Sequence, residues 1–454
     1  MKRIYYGWLV LLLVSASFTT GQAAWQQKAA ADIAIRAGRL IDVKSGEIIK
    51  DAVILVKDGR ITSVGPGLAI PASANVIDLS DMTILPGLID CHTHLLMGHS
   101  VALDEEVNMT LTVSQMSTAK RALLGAAHGK QYLEAGFTTV RDLGNSGLNG
   151  DVALRDAINA NWIVGPRIIA STRALAAAGG QFGSLSAEAQ RLIEQEYVVI
   201  NGVEDARRAI RQAIYDGADC IKVIVDSGPG RTLSLEEVKA IVAEAHRLDR
   251  KVAAHASSNE ATQIAAESGV DSIEHAYSIS DNVLRMMSEK KIFLVPTDET
   301  QQMAEAILLD RQPAQQRKRA QELIGMFVGS IKDRLRRAVK IGVRTAAGSD
   351  MYYEIPGKTR GQASLQMFRA YADSGMSPLE IIRAATVNAS ELLGLQDQIG
   401  SIEPGKFADL IAMPGDPLKD ITELEHVRFV MKNGAVIINK SSEGTRPAGR
   451  LGRR

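Results

Sequence analysis

The feature that most limits what this chain can fold into is a rhythm. Between about Ile84 and Leu395, compact apolar runs alternate with stretches of helical periodicity, the pattern of βα units feeding a parallel sheet. Eight runs read as strands: ILPGLIDCHTH from Ile84, TTVRDLG from Thr138, PRIIAST from Pro166, CIKVIVD from Cys220, KVAAHA from Lys251, SIEHA from Ser272, IFLVPT from Ile292 and VRTAAGSD from Val343. Helix starts fall between them. Ser234-Leu-Glu-Glu237 is a capping box, and Ser377-Pro-Leu-Glu380 joins a cap, a first-turn proline and a matching glutamate. Eight such units predict an α/β fold, a (β/α)8 TIM barrel whose chemistry sits at the C-terminal ends of its strands.

Both ends of the chain depart from that rhythm. Ala31 to Gly65 alternates with period two, with turns at Lys44-Ser45-Gly46 and Lys57-Asp58-Gly59, which reads as short antiparallel strands. GKFADLIAMPGDP and HVRFVMKNGAVI near the C-terminus do the same. The expected organisation is a small β-sandwich domain built from residues 25–83 and 399–440, bracketing the barrel at 84–398, with a flexible polar tail at 441–454. Residues 1–24 read as a signal peptide: Lys2 and Arg3, an apolar run from Trp8 to Phe18, then small and polar residues up to Ala23 and Ala24. The run falls short of the ~20 residues a bilayer span needs, so the expectation is export to the periplasm or secretion, with no stable membrane span after the signal is removed.

Charge narrows the partners. With 52 basic and 52 acidic side chains, no global field gathers nucleic acid or anionic membrane, and the expected partner is a small molecule or peptide. Only two cysteines occur, Cys91 and Cys220, both inside apolar runs, so no disulfide framework is expected.

His92, His94, His255 and His275 each fall at or near the end of an expected strand. Because a strand alternates faces, His92 and His94 point the same way, into the barrel mouth, and Thr93 points outward. Converging imidazoles suit a metal. Lys222 is anomalous: an ammonium inside an apolar strand is costly unless paired or chemically changed. Asp219, three residues before it, is expected to face the other side, and so is Asp226 at the end of the run. Asp350 ends the eighth run, where a carboxylate can ligate a metal and exchange a proton with bound water.

His92-Thr-His94, Lys222, His255, His275 and Asp350, in this order on strands one, four, five, six and eight, resemble the amidohydrolase superfamily. PGLIDCHTHL, GFTTVRDLG, GADCIKV, SIEHA, AAGSD and GSIEPGKFADLIAMPGDPL resemble its imidazolonepropionase-like subgroup, which includes Xaa-Pro and Xaa-Arg dipeptidases, carboxypeptidases and amidases active on ochratoxin. The resemblance implies two divalent metal ions, zinc by ligand type, with manganese or cobalt able to substitute. It implies a carboxylated Lys222 bridging them. His92, His94, Lys222 and Asp350 would hold one ion, and Lys222, His255 and His275 the other. It also implies a homo-oligomer.

The expected activity is cleavage of an amide to a C-terminal amino acid, in a dipeptide, N-acyl amino acid or ochratoxin-like amide, by metal-activated hydroxide, with Asp350 moving the proton. Opening of a cyclic, imidazolone-type amide, or deamination, is the alternative. His255 is followed by Ala-Ser-Ser-Asn-Glu260, without the H-x-x-E placement of adenosine-type deaminases. A non-enzymatic member that has lost its ligands is disfavoured by the complete ligand set. Substrate contacts are expected from His99, Gln181, Arg231, Tyr352, Tyr353 and Arg360 in loops after the strands. Where relatives often carry a histidine after the glycine pair following strand three, this chain reads Gly179-Gly180-Gln181-Phe182. Arg141 reads as structural, oriented by Asp142.

Overall fold

The computed structural model describes residues 33–228, 230–309 and 311–441; the expected signal peptide, and the expected tail apart from Ser441, lie outside them. The alternating middle of the chain forms two parallel sheets flanked by helices. One has three strands, in the order Leu88–Thr93, Phe137–Asp142 and Arg167–Ala170. The other has six, in the order Tyr197–Val199, Ala174–Ala176, Cys220–Ile224, Lys251–Ala256, Ser272–His275 and Phe293–Val295. This is a TIM-barrel-like α/β arrangement, and its strands are buried on both faces, as parallel strands covered by helices must be.

Two expected strands differ in detail. The third is split: Arg167–Ala170 pairs with Phe137–Asp142, whereas Ala174–Ala176 pairs with Cys220–Ile224. Thr172, with φ 61°, turns the chain between the two pieces. The eighth run is extended without being a regular strand. Thr345 bridges Leu294, and on the other side Cys91 N donates to Ala347 O at 2.7 Å and Asp350 N to His92 O at 2.8 Å. Ala347 N instead serves Ala384 O, so the ladder is interrupted. Gly348 lets the backbone pass here, since a Cβ there would lie 2.3 Å from Val295 and 2.9 Å from His92 Cβ.

Helix starts follow local side-chain chemistry. Ser234 and Ser377 form complete capping boxes with Glu237 and Glu380, and Ser117, Ser258 and Ser280 accept from the first turn of their own helices.

The two chain ends form one seven-stranded sheet. Its order is Ala435–Asn439, Phe429–Lys432, Leu410–Met413, Asn75–Pro86, Ile33–Ile41, Ile48–Lys57 and Arg60–Pro66. Only Ile33–Ile41 with Asn75–Pro86 is parallel; the other pairs are antiparallel. Ile35, Leu40, Ile54, Leu79, Phe429 and Met431, drawn from strands across the sheet, share one core. Asn75–Pro86 continues through Gly87 into the first parallel strand, so this sheet holds the root of the strand that carries His92. Among the described residues, no helix is long and apolar enough to cross a membrane.

Candidate metal centre

Strand ends bring His92, His94, Lys222, His255, His275 and Asp350 around one cavity of about 460 Å³. Ring centroids are 5.4 Å apart for His92 and His94, 5.0 Å for His92 and His275, and 4.5 Å for His255 and His275. His92, His275 and Asp350 each offer a ligand atom within 4.8 Å of the others. Asp350 Oδ1 lies 3.2 Å from His94 Nε2 and 3.5 Å from His92 Nε2. Thr93, between the two histidines, points away and donates to Asp142.

The outer nitrogens of these rings are already committed. His94 Nδ1 faces Gly144 O at 3.0 Å, an acceptor only, so Nδ1 carries a proton and Nε2 is turned towards Asp350. His92 Nδ1 lies 2.8 Å from Glu274 Oε2, which fixes the same tautomer. His275 Nδ1 lies 2.8 Å from the Thr297 hydroxyl, which itself donates to Pro296 O. Imidazole and carboxylate lone pairs therefore converge, and Asp350 Oδ1, though buried, accepts no well-aligned hydrogen bond. Lone pairs aimed at one another repel unless a cation lies between them, so this donor set fits a metal ion.

Electrostatics agree. Burial and then the Lys222 charge push His92 well below the ordinary imidazole value, and the same two causes bring His255 to about 3. Burial followed by the neighbouring His255 lowers His275. His94 is the exception: burial opposes its charge, but Asp350 outweighs burial and raises it. Burial lowers the Lys222 amine to about 8. No carboxylate pairs with it among the described residues; its near neighbour is His92 Nε2 at 3.4 Å. Asp219 instead pairs with Arg155, and Asp226 accepts from the Ser257 and Ser258 amides. Asp219 lies off the Lys222 face as alternation requires, whereas Asp226, at an even offset, turns away because the strand has ended at Ile224.

Behind His92 lies a carboxylate that alternation concealed. Glu274 is fully buried, and besides His92 it meets Arg141 Nη2 at 2.9 Å and the Ser272 hydroxyl. Regular alternation would aim Glu274 and His275 to opposite faces. His275 and Ala276 instead take φ 69° and 51°, a left-handed end to the strand that lets both side chains serve the same centre. The expected link from Asp142 to Arg141 is not what forms. Asp142 accepts from Thr93, the Leu95 amide and Ser146, capping the turn after its strand, while Arg141 reaches inward to Glu274 and to Cys91 O at 2.6 Å. Asp90 ties two ligands together: its Oδ1 accepts from the backbone amides of His92 and Ser349, each at 3.0 Å.

Of the expected substrate contacts, Gln181, Arg231 and Tyr352 line the cavity; His99, Tyr353 and Arg360 do not. His99 is buried beneath Tyr352 and faces Glu105, the Tyr353 hydroxyl also goes to Glu105, and Arg360 is buried against the backbone of two loops. Tyr277, Glu105 and Glu106 line the cavity as well. Tyr277 stands two residues after His275, where period two would have placed it. The glutamates open a helix, Glu105–Gln115, whose position no local pattern announces. Arg231 donates to Phe182 O at 2.5 Å and Ser227 O at 2.6 Å, and no carboxylate pairs with it among the described residues.

Known proteins place this geometry. The ochratoxinase of Aspergillus niger is 32% identical over 430 residues, covering 88% of this chain and 85% of that protein, and its crystal structure superposes with a TM-score of 0.75 at 29% identity, over 90% of this chain and 96% of that one. The crystal structure of a Xaa-Pro dipeptidase with bound methionine in the active site gives a TM-score of 0.77 at 31% identity, over 90% of this chain and all of that one. The imidazolonepropionase of Geobacillus kaustophilus is 26% identical, covering 86% of this chain and 91% of that protein. Residues 83–437, from the strand that leads into His92 to the last strands of the seven-stranded sheet, match the amidohydrolase family model, so this chain, a hydrolase of amide bonds, belongs to the amidohydrolase family.

Proposed function

We propose that this protein is a binuclear metal-dependent amidase that releases a C-terminal amino acid from a dipeptide or an N-acyl amino acid. The observation that carries the reading is the inward convergence of the Nε2 lone pairs of His92 and His94, the Asp350 carboxylate and the Lys222 amine in one cavity. His92, His94, Lys222 and Asp350 would hold one divalent ion, and Lys222, His255 and His275 the second, with zinc suited to the donor set. For Lys222 to serve both, its amine, lowered to about 8 by burial, forms an N–C bond with carbon dioxide and loses a proton to solvent, leaving a carbamate anion. When bound, the ions would lower the pKa of a water and polarise the amide carbonyl.

The protein's own groups do the rest. Asp350 takes the proton of the attacking water and delivers it to the leaving nitrogen as the C–N bond breaks, giving a carboxylate and a free amine. Glu274 and the Gly144 carbonyl keep the lone pairs of His92 and His94 turned inward. Arg231, which meets no carboxylate among the described residues, would receive the α-carboxylate of the substrate, and Phe182, Met109 and Tyr352 would pack on its apolar part. The ochratoxinase and Xaa-Pro dipeptidase likenesses support an amide of this kind.

Further parts of the reading concern architecture and setting. The hydrogen bonds from residues 343–350 to strands on both sides support a closed eight-stranded barrel over 84–398, and the common core of the seven-stranded sheet supports a sandwich over 25–83 and 399–440. Export, and assembly into a homo-oligomer, complete the proposal. The decisive experiment is a screen of dipeptides and N-acyl amino acids with zinc-loaded protein, together with metal analysis. Free amino acid and two zinc ions per chain are expected, whereas ammonia release with one ion would replace this reading by deamination. Asp350→Asn is expected to retain metal and lose about 10²–10⁴-fold in kcat; near-native turnover would remove its role.

A further inference from the structure

A charged cluster that the chemistry above does not use sits behind the cavity wall. Helix Thr118–Glu134 contributes His128, strand Tyr353–Glu354 contributes Glu354, and helix Arg360–Ser364 contributes Arg360. His128 Nδ1 lies 2.8 Å from Leu95 O, and its Nε2 lies 3.0 Å from Glu354 Oε1. Arg360 donates to Met351 O and Met97 O, each at 3.0 Å, and to Glu354 Oε1 at 2.6 Å. The two loops joined in this way are those that follow His94 and Asp350. They also pair directly, His99 with Tyr353 and Ser100 with Glu354.

A carbonyl and a carboxylate can only accept. His128 therefore satisfies both with protons on both ring nitrogens, as an imidazolium. Other ionisable groups near it are engaged elsewhere: Arg121, on the same helix, pairs with Glu196 and with the carbonyls of Leu96 and Asn145, and the Tyr132 hydroxyl bonds Ser364 and Ser349.

We infer that His128, Glu354 and Arg360 form a proton-dependent clamp that fixes the loop after Asp350 against the loop after His94 and thereby sets the position of Tyr352 in the substrate cavity. When His128 loses its proton, Nδ1 still donates to Leu95 O, but an Nε2 lone pair then faces the Glu354 carboxylate. That junction opens. Asp350 is anchored separately, through its own amide to His92 O and through Asp90 to Ser349, so the wall moves while the proton carrier stays. The effect falls on KM rather than kcat. The kinetic consequence rests on the amidase reading, but the clamp itself does not.

Glu354→Gln separates the proton from mere packing. Glu354 Oε1 alone meets both donors; a glutamine turned so that its oxygen accepts from Arg360 and its amide nitrogen donates to a neutral His128 keeps both junctions without the imidazolium. Two measurements need no activity. Ring ¹⁵N spectra of histidine-labelled protein, with His128 assigned from His128→Asn, should show both nitrogens protonated at the lower end of the pH interval compared. Amide exchange of residues 351–358, compared at matched alkaline pH, should be faster in the wild-type protein than in Glu354→Gln. For any amide that is turned over, wild-type KM should rise about tenfold across the same pH interval, the scale of one lost hydrogen bond to a charged group, with kcat steady and the variant flat. A His128 that is neutral at both ends of that interval, equal exchange in the two proteins, or parallel KM profiles would overturn the clamp. Failure to hydrolyse any amide would overturn the proposed function and leave the first two readouts standing.

Discussion

The rim of the parallel strands and the seven-stranded sheet are built on opposite terms. In the sheet, Ile35, Ile54 and Phe429 are fully buried in one apolar cluster, and the left-handed residues Asp51, Asp58 and Asn433 are exposed. At the rim, Asp90, Lys222, Glu274 and Arg141 are buried, and Thr172, His275, Ala276, Thr297 and Asp350 all hold φ between 50° and 69°. Such conformations cost about 1–3 kcal/mol each and persist only where the surroundings impose them. The sheet spends little on function and supplies stability, whereas the rim is a strained, polar site held in place by everything behind it.

Variants can break or sharpen that contrast, and the largest expected effect lies at the rim. Lys222→Ala should lower kcat by about 10³-fold or more, on the scale of losing a metal-activated water, with metal content below two ions per chain. Full activity in that variant would dissolve the metal bridge. Glu274→Gln should weaken metal binding by about 10–100-fold, as expected when the group orienting a ligand histidine is altered; competition with a chelator measures it. The sheet should answer differently. Phe429→Ala should cost about 3–5 kcal/mol in denaturant unfolding while kcat per folded molecule is unchanged, and a drop in kcat would show that the sheet positions His92 more tightly than the contrast allows.

The smallest effect concerns acid stability at the edge of the rim. Hydrogen bonding from His128, together with Arg360, holds the half-exposed Glu354 carboxyl down to about 2 from an ordinary 4.5. A carboxyl lowered on folding contributes stability that is present above its unfolded value and lost as pH falls through its folded one. Glu354→Gln should therefore flatten the fall of melting temperature between pH 4.5 and about 2, and solvent screening keeps the change modest. Identical acid limbs in the two proteins would count against the ion pair.

The same contrast explains what the sequence disclosed. The antiparallel strands of the chain ends, their turns, the capping boxes at Ser234 and Ser377, and the common direction of His92 and His94 all follow from periods of two or from local side-chain chemistry, and all can be read from a few neighbouring residues. Glu274 could not be read in that way, because the left-handed backbone at His275 cancels the alternation that a reader must assume. The split at Thr172 has the same origin, whereas the ladder beyond Val343 is interrupted because the Ala347 amide turns to Ala384 O. His99, Tyr353 and Arg360 lie in loops whose course depends on which helix they meet, and here they face one another and the protein interior rather than the cavity. Arg141 was recognisable as structural, but its partner comes from a strand more than a hundred residues away.

Asp350 arrives on the last of the ligand-bearing segments, and the sheet that roots the His92 strand needs Leu410–Met413 and Phe429–Lys432 to complete it. A growing chain therefore carries His92, His94, His255, His275 and Lys222 before the strands that complete the sheet exist. On the proposed reading the centre can assemble only after these late strands have joined the sheet, so the uptake of a cation would follow folding rather than lead it.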